Sequence, residues 1–173
     1  GAPIPRTRPS AYVAMPPISR CAIAKTFIAT IGGQDTGGVA ARTLIGFRDE
    51  AHSGGLELFE CQEVGLASED GHVGHQGYVT DLLEVALKGD DARSAAVYAC
   101  GPPAMLEGVR AICAKRDVPA ELAMEAPMAC GFGACFGCAV PLAAGGYMRL
   151  CVDGPVVRAD AIESALVAGA GHR

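Results

Sequence analysis

The chain has 173 residues, half of them hydrophobic and 19% charged, with a formal net charge of −5. This suits one globular domain, or a small domain with an appended module, and excludes wholesale disorder and a large multidomain machine. The acidic balance also excludes nucleic acid as the main partner, because phosphate neutralisation needs a clustered basic surface.

Residues 1–34 carry Arg6, Arg8, Arg20 and Lys25 and no acid. A basic, Pro-rich start of this kind has the composition of a tail or a transit segment, and a poorly ordered stretch is the plainer expectation. No charged n-region followed by an apolar run marks a secretory signal, so an extracellular disulfide framework loses its main support. The glycines at 32, 33, 37 and 38 do not form a dinucleotide fingerprint. Residues 1–37 are therefore set apart as an unmatched segment.

From about residue 38 the pattern alternates strand and helix. Residues 39–47 have the β-branched and small side chains of a buried strand, and 54–66 form a weaker extended region. A turn-rich loop follows at 68–77. Val79, Leu82, Leu83, Ala86 and Leu87 fall at helical spacing, with Gly89 where a C-terminal cap belongs. Residues 95–100 make a second strand running into Gly101 and Pro102. Pro103 suits the first helical position, with Leu106, Val109, Ala111 and Cys113 expected inside and Lys115 and Arg116 in the last turn. Residues 120–124 make one more strand, and Asp160 and Glu163 have capping-box spacing for a short final helix. Alternating elements predict an α/β fold with a parallel sheet. A boundary near 119–126 divides an α/β unit from a small irregular cysteine module.

Residues 126–148 contain no charged side chain, a length that could span a bilayer. Five glycines, two prolines and three cysteines make the stretch a poor helix, and lipid tolerates no exposed irregular backbone. No membrane span is expected. A small, uncharged, glycine-dense wrapping suits a buried inorganic centre better.

The cysteines make that centre concrete. Cys130, Cys135 and Cys138 are spaced C-x4-C-x2-C, and Cys151 follows after twelve intervening residues. Three thiolates on one tight loop, with a fourth returning from a hairpin, can surround a two-iron, two-sulfide rhomb. Gly131, Gly133 and Gly137 would free the backbone and let amide N–H groups approach the sulfurs. A four-Cys zinc site and a pair of disulfides are the competing readings; the asymmetric spacing favours iron–sulfur. Cys21, Cys61 and Cys113 read as ordinary residues.

The strand-to-turn sequence at 98–105 is the second candidate site. Ligands bind at the carboxyl ends of parallel strands, and a helix start offers free N–H groups. Cys100, Gly101 and Pro102 are thus candidates for nucleotide contact, against the alternative of a purely structural turn. Gly46 and Arg48 end another strand and suit a ribose or phosphate. His72 and His75, in a polar glycine loop, are expected to be solvated.

These residues also carry a resemblance. The run EAPMACGFGACFGC at 125–138, followed by RLCVDGPV at 149–156, resembles the cluster module of the electron-transfer subunits of class 1B dihydroorotate dehydrogenase. LIGFR at 44–48, GYVTDLL at 77–83 and CGPPAM at 100–105 are similar to the nicotinamide domain of the same family, which belongs to the ferredoxin–NADP reductase superfamily. The resemblance covers about residues 38–160. It implies a truncated parallel-sheet nicotinamide-binding domain at 38–119, a small irregular β [2Fe–2S] module at 120–160, and a C-terminal helix or tail at 161–173.

By position, Cys130, Cys135, Cys138 and Cys151 would ligate the cluster, and Cys100, Gly101 and Pro102 would lie near the nicotinamide. The implied role is electron transfer between NAD, FAD and the FMN-bearing catalytic subunit of a cytoplasmic hetero-oligomer, which oxidises dihydroorotate to orotate in pyrimidine biosynthesis. The chain itself would carry no catalytic residue and would not act alone. Two family features find no match here: the N-terminal β-barrel that carries most FAD contacts, and the Gly-rich loop of the nicotinamide domain. FAD and NAD are accordingly implied less directly than the cluster. The alternatives are an electron-transfer subunit of another flavin oxidoreductase, of ferredoxin–NADP reductase or sulfhydrogenase type, and a zinc-stabilised interaction module.

Overall fold

A computed structural model describes residues 27–33, 40–56, 63–88 and 95–167. Its centre is a seven-stranded sheet in the order β4-β3-β2-β1-β5-β6-β9, beside a two-stranded hairpin, β7-β8. The strands are β1 (Phe27–Gly33), β2 (Ala40–Phe47), β3 (Glu63–Ser68), β4 (His75–Gln76), β5 (Ala95–Cys100), β6 (Ala120–Ala123), β7 (Ala139–Pro141), β8 (Tyr147–Arg149) and β9 (Val156–Arg158). The helices are α1 (Val79–Ala86), α2 (Pro103–Arg116) and the single turn α3 (Leu150–Asp153).

The fold is α/β, as the alternation predicts. The β2-β3, β3-β4 and β5-β6 pairs are parallel, whereas β1 runs antiparallel to both β2 and β5, and β9 antiparallel to β6. Strands β2 to β6 therefore all point one way, and their carboxyl ends share one edge of the sheet. Strand β1 lies inside the stretch set apart at 1–37, so the sheet begins earlier than residue 38.

Burial follows the two periodicities. Along β5, Ala95, Val97 and Ala99 are buried while Tyr98 and Cys100 are exposed, the alternation of a strand with one covered face. Val79, Leu83 and Leu87 of the α1 segment and Leu106, Val109 and Cys113 of α2 meet that face. Ala111, expected inside, is exposed, and Ile112 packs against the core instead. From Val109 the next core positions are 112 and 113, three and four residues on; position 111 lies on the far side. Pro103 opens α2 as predicted, and Asp117 ends it in the left-handed conformation. The expected cap at Gly89, and Cys21 and Cys61, lie outside the described residues.

The polar loop after β3 is pinned from within. Buried Ser68 accepts the Val73 N–H through its Oγ and the Gly71 and Gly77 N–H groups through its carbonyl. Gly74, at φ +71, is obligatory there, since a Cβ would lie 2.2 Å from the Leu66 carbonyl oxygen. His72 and His75 are exposed, as expected, with His72 Nδ1 3.0 Å from the Asp70 carboxylate.

The cysteine module is not a separate body with its own interior. Val140, Met148, Leu150 and Cys138 belong to the same hydrophobic cluster as Leu122, Val97 and Leu106. The expected final helix is a 3-10 turn at Ala159–Ala161, after which Ile162 bridges to Leu142. Asp160 pairs with Arg158 instead of capping a helix, and the Glu163 N–H donates to the Pro141 carbonyl. Among the described residues no helix is long and apolar enough to cross a membrane.

Glu107 fastens the closing segment to α2. It accepts from Arg110, from the Ser164 hydroxyl at 3.1 Å and from the Ala165 N–H at 2.7 Å. Arg110 above all, with these donors, holds its carboxyl at about 2, below the ordinary 4.5. Its contribution is therefore full above pH 4.5 and is lost as the pH falls towards 2. Urea denaturation should show Glu107→Gln about 1–2 kcal/mol less stable than the parent at pH 7, with the gap closing as the pH is lowered through that window.

Candidate metal centre and nucleotide cleft

The route of the chain explains how Cys151 returns to the loop that bears the other three cysteines. It leaves the sheet at the carboxyl end of β6, crosses the loop bearing Cys130, Cys135 and Cys138, turns through β7 and β8, and reaches Cys151 in α3. It then re-enters the sheet as β9, where Val156 pairs with Ala123 at the end of β6. A further bond, from the Met124 N–H to the Pro155 carbonyl (3.0 Å), closes the mouth of the excursion. Within it, Ala139 pairs with Arg149, and the Leu150 N–H donates to the Cys138 carbonyl at 3.1 Å. The hairpin thus sets Cys138 beside Cys151, with their Sγ atoms 3.2 Å apart.

The sulfurs come as two pairs. Cys138 is 2% exposed and abuts Cys151, while Cys135 lies at the surface and Cys130 between the two extremes. The Cys130 thiol is lowered to about 6 by the Cys135 N–H first, then by the Phe132 N–H, the Cys135 thiol and the Ala134 N–H. Cys138 is lowered by the Cys151 N–H and thiol, and Cys151 is raised by the same thiol contact and by burial.

At 3.2 Å the Cys138 and Cys151 sulfurs are far beyond the roughly 2.05 Å of a disulfide. All six described cysteines are free thiols. Among the described residues, no three or more His, Cys, Asp or Glu side chains gather around a point that one ion would fill. A structural zinc site closes four donors around one ion. Two pairs suit two irons better, each taking two protein ligands. The donor set, four sulfurs with N–H groups aimed at them, fits a [2Fe–2S] cluster.

The loop glycines divide in their roles. Gly131 and Gly133 adopt φ +73 and +85, conformations in which a side chain is strained. Gly137, grouped with them in the sequence, does not; the other left-handed residue of the loop is Phe136, at φ 57. Gly137 serves the sulfur instead, its N–H lying 3.4 Å from Cys135 Sγ.

At the same sheet edge lies a cleft of about 410 Å³, lined by Gly46 and Phe47 from β2, Glu69 after β3, Tyr78 to Thr80 at the start of α1, Pro102 just before α2 and Met105 within it. Of the predicted nucleotide residues, Gly46 and Pro102 line it, whereas Arg48, Cys100 and Gly101 do not. Gly46 lets α1 approach, since a Cβ there would lie 3.0 Å from that of Val79. Cys100 stands at the neighbouring strand end, its thiol raised by partial burial and by the Glu125 carboxylate. Phe47 and Met105 fall within the two stretches singled out from the sequence, whereas Glu69, Tyr78 and Thr80 were not singled out. The available signal was that GYVT at 77–80 begins a helix directly after a turn. The lining includes one carboxylate and no cation.

Residues 125–163 match the iron–sulfur cluster binding domain of dihydroorotate dehydrogenase B. Over that stretch the chain is similar to that domain. The electron transfer subunit of dihydroorotate dehydrogenase B (NAD(+)) from Listeria welshimeri is 40% identical over 108 residues, covering 61% of this chain and 40% of the relative. Those from Listeria innocua and Caldanaerobacter subterraneus are 38% and 37% identical, covering 72% and 68% of this chain. The chain spans less than half the length of these curated relatives. A solved structure of an NADH-dependent reduced ferredoxin–NADP oxidoreductase superposes with a TM-score of 0.60 at 20% identity, covering 71% of this chain and 44% of its own, which establishes the likeness of fold.

In metal-free protein at neutral pH, iodoacetamide should modify Cys130 ahead of Cys113, which burial pushes up to about 11. Peptide mapping should show Cys130 labelling slow as the pH falls through about 6.

Proposed function

We propose that this chain is an electron-transfer component that relays electrons between a nicotinamide–flavin couple and a partner flavin dehydrogenase, through a [2Fe–2S] cluster on Cys130, Cys135, Cys138 and Cys151. The partner in this reading is the FMN-bearing catalytic subunit that oxidises dihydroorotate to orotate, in a cytoplasmic hetero-oligomer. The observation that supports it is the contact between the Cys138 and Cys151 sulfurs, 3.2 Å apart, within the stretch that matches the iron–sulfur cluster binding domain and on the sheet edge that also bears the cleft.

A bound cluster supplies one-electron chemistry; the chain's own residues set its surroundings. Cys138 anchors one pair in the hydrophobic interior, while the Gly137 N–H offsets charge on the Cys135 sulfur at the surface. In the loop on either side of exposed Cys135, Phe132 and Phe136 are 74% and 60% exposed, and Met128 earlier in the loop and Val152 beside Cys151 in sequence are also exposed. Such an apolar rim beside a redox centre suits a protein partner that must come close.

The domain division proposed here runs from the α/β unit, which holds the nucleotide, to the 120–160 module, which holds the cluster. In the cleft, Gly46 and Pro102 with Phe47, Tyr78 and Met105 form a slot for the nicotinamide nucleotide, and Arg48, Cys100 and Gly101 flank it. Glu69 offers an acceptor for ribose hydroxyls and repels an added phosphate, which favours NAD over its phosphorylated form. FAD enters through the family resemblance, and none of the described side chains is assigned to it.

Protein purified without oxygen should be brown, with two irons and two sulfides per chain, and Cys135→Ser should abolish the colour. Mixed with a dihydroorotate dehydrogenase B catalytic subunit, the colour should bleach on adding dihydroorotate. A colourless, zinc-containing protein would refute the cluster. A brown protein that the catalytic subunit never bleaches would point to another flavin oxidoreductase.

A further inference from the structure

We propose that Arg149 is a positioning residue that clamps the two halves of the cluster loop together and, with Asp153, sets the potential of the centre they enclose. The inference rests on the reading above that the four thiolates hold an iron–sulfur cluster.

Arg149 ends β8, two residues before Cys151. Its Nη1 donates to the Gly133 carbonyl at 3.1 Å, and its guanidinium carbon lies 5.6 Å from the centre of the Phe136 ring, within cation–π range. One side chain therefore grips the loop on both sides of Cys135, two residues before it and one after. The fit leaves no slack: a Cβ on Gly133 would lie 2.9 Å from Val152 Cγ2 and 3.0 Å from Arg149 Nη1.

Asp153 holds the clamp from the other side. Its carboxylate accepts the Arg149 N–H at 3.0 Å and lies 3.8 Å from Nε. The centre is thus flanked by a cation and an anion that partly cancel. Adding an electron makes the cluster more negative, so the guanidinium favours the reduced form and the carboxylate opposes it. Lysine would keep the charge but lose the planar fork that bonds a carbonyl while lying over a ring.

Three variants test this on the purified protein, read by iron and sulfide content, iron loss to a chelator, and potentiometric titration followed by electron paramagnetic resonance. Arg149→Met should release iron about tenfold faster than the parent and shift the midpoint to more negative potential. Asp153→Asn, which can still accept the Arg149 N–H, should shift it to more positive potential. Arg149→Lys should hold the midpoint near that of the parent yet lose iron faster. Opposite shifts from two neighbouring side chains are not what general loosening produces. If both midpoints coincide with the parent's, or Arg149→Met and Arg149→Lys both release iron at the parental rate, the inference is overturned. A parent chain without iron and sulfide overturns the cluster reading, and this inference with it.

Discussion

The antiparallel pairing of β6 with β9 is the constraint on which the rest of the structure depends. Three residue pairs hold the entrance and exit of the cysteine excursion together, at the edge where the parallel strands end. Without it, Cys151 would arrive from an unrelated direction, and no spacing within the first three cysteines would compensate. The pairing is short, but it does not stand alone. Leu122 and Val157 from the two strands are buried in the common core, each contributing about 1.5–3 kcal/mol. Hydrophobic burial at the base thus fixes where the polarisable thiols at the tip lie.

From this base the centre acquires a polarity. The Cys138 and Cys151 side is embedded against Val140 and Leu150, and the Cys135 side faces outward among exposed aromatic residues. The embedded side resists exchange with solvent, and the outward side allows approach. The cleft opens on the same sheet edge because β2, β3, β5 and β6 all point there. One topological fact, shared strand direction, places both candidate sites within reach of one another.

Much of this was legible in the sequence. The C-x4-C-x2-C run and its distant fourth cysteine announce a cluster because ligand spacing is local and chemically restrictive. Pro103 and the apolar spacing of α1 fixed two helices for the same reason. What escaped was non-local. Strand β1 takes its place only through pairing with β2 and β5, which no short window encodes. Ala111 was misjudged because a small residue fits either face of a helix. The cleft residues Glu69 and Tyr78 come from two loops that become neighbours only once the strands are aligned. Gly137 illustrates a subtler limit: a glycine in a tight loop suggests an unusual dihedral, yet here the unusual dihedral belongs to Phe136.

The shared interior of module and sheet carries an evolutionary consequence. Val140, Met148 and Leu150 share one buried cluster with Leu122 of β6 and with Leu106 and Val109 of α2, residues that precede the first cysteine of the module. A genetic event that moved the metal-binding stretch into another protein would transplant a half-built surface. Such a cassette can travel only with the ledge of sheet it leans on, so recombination should cut upstream of β6, where the inherited piece is already whole.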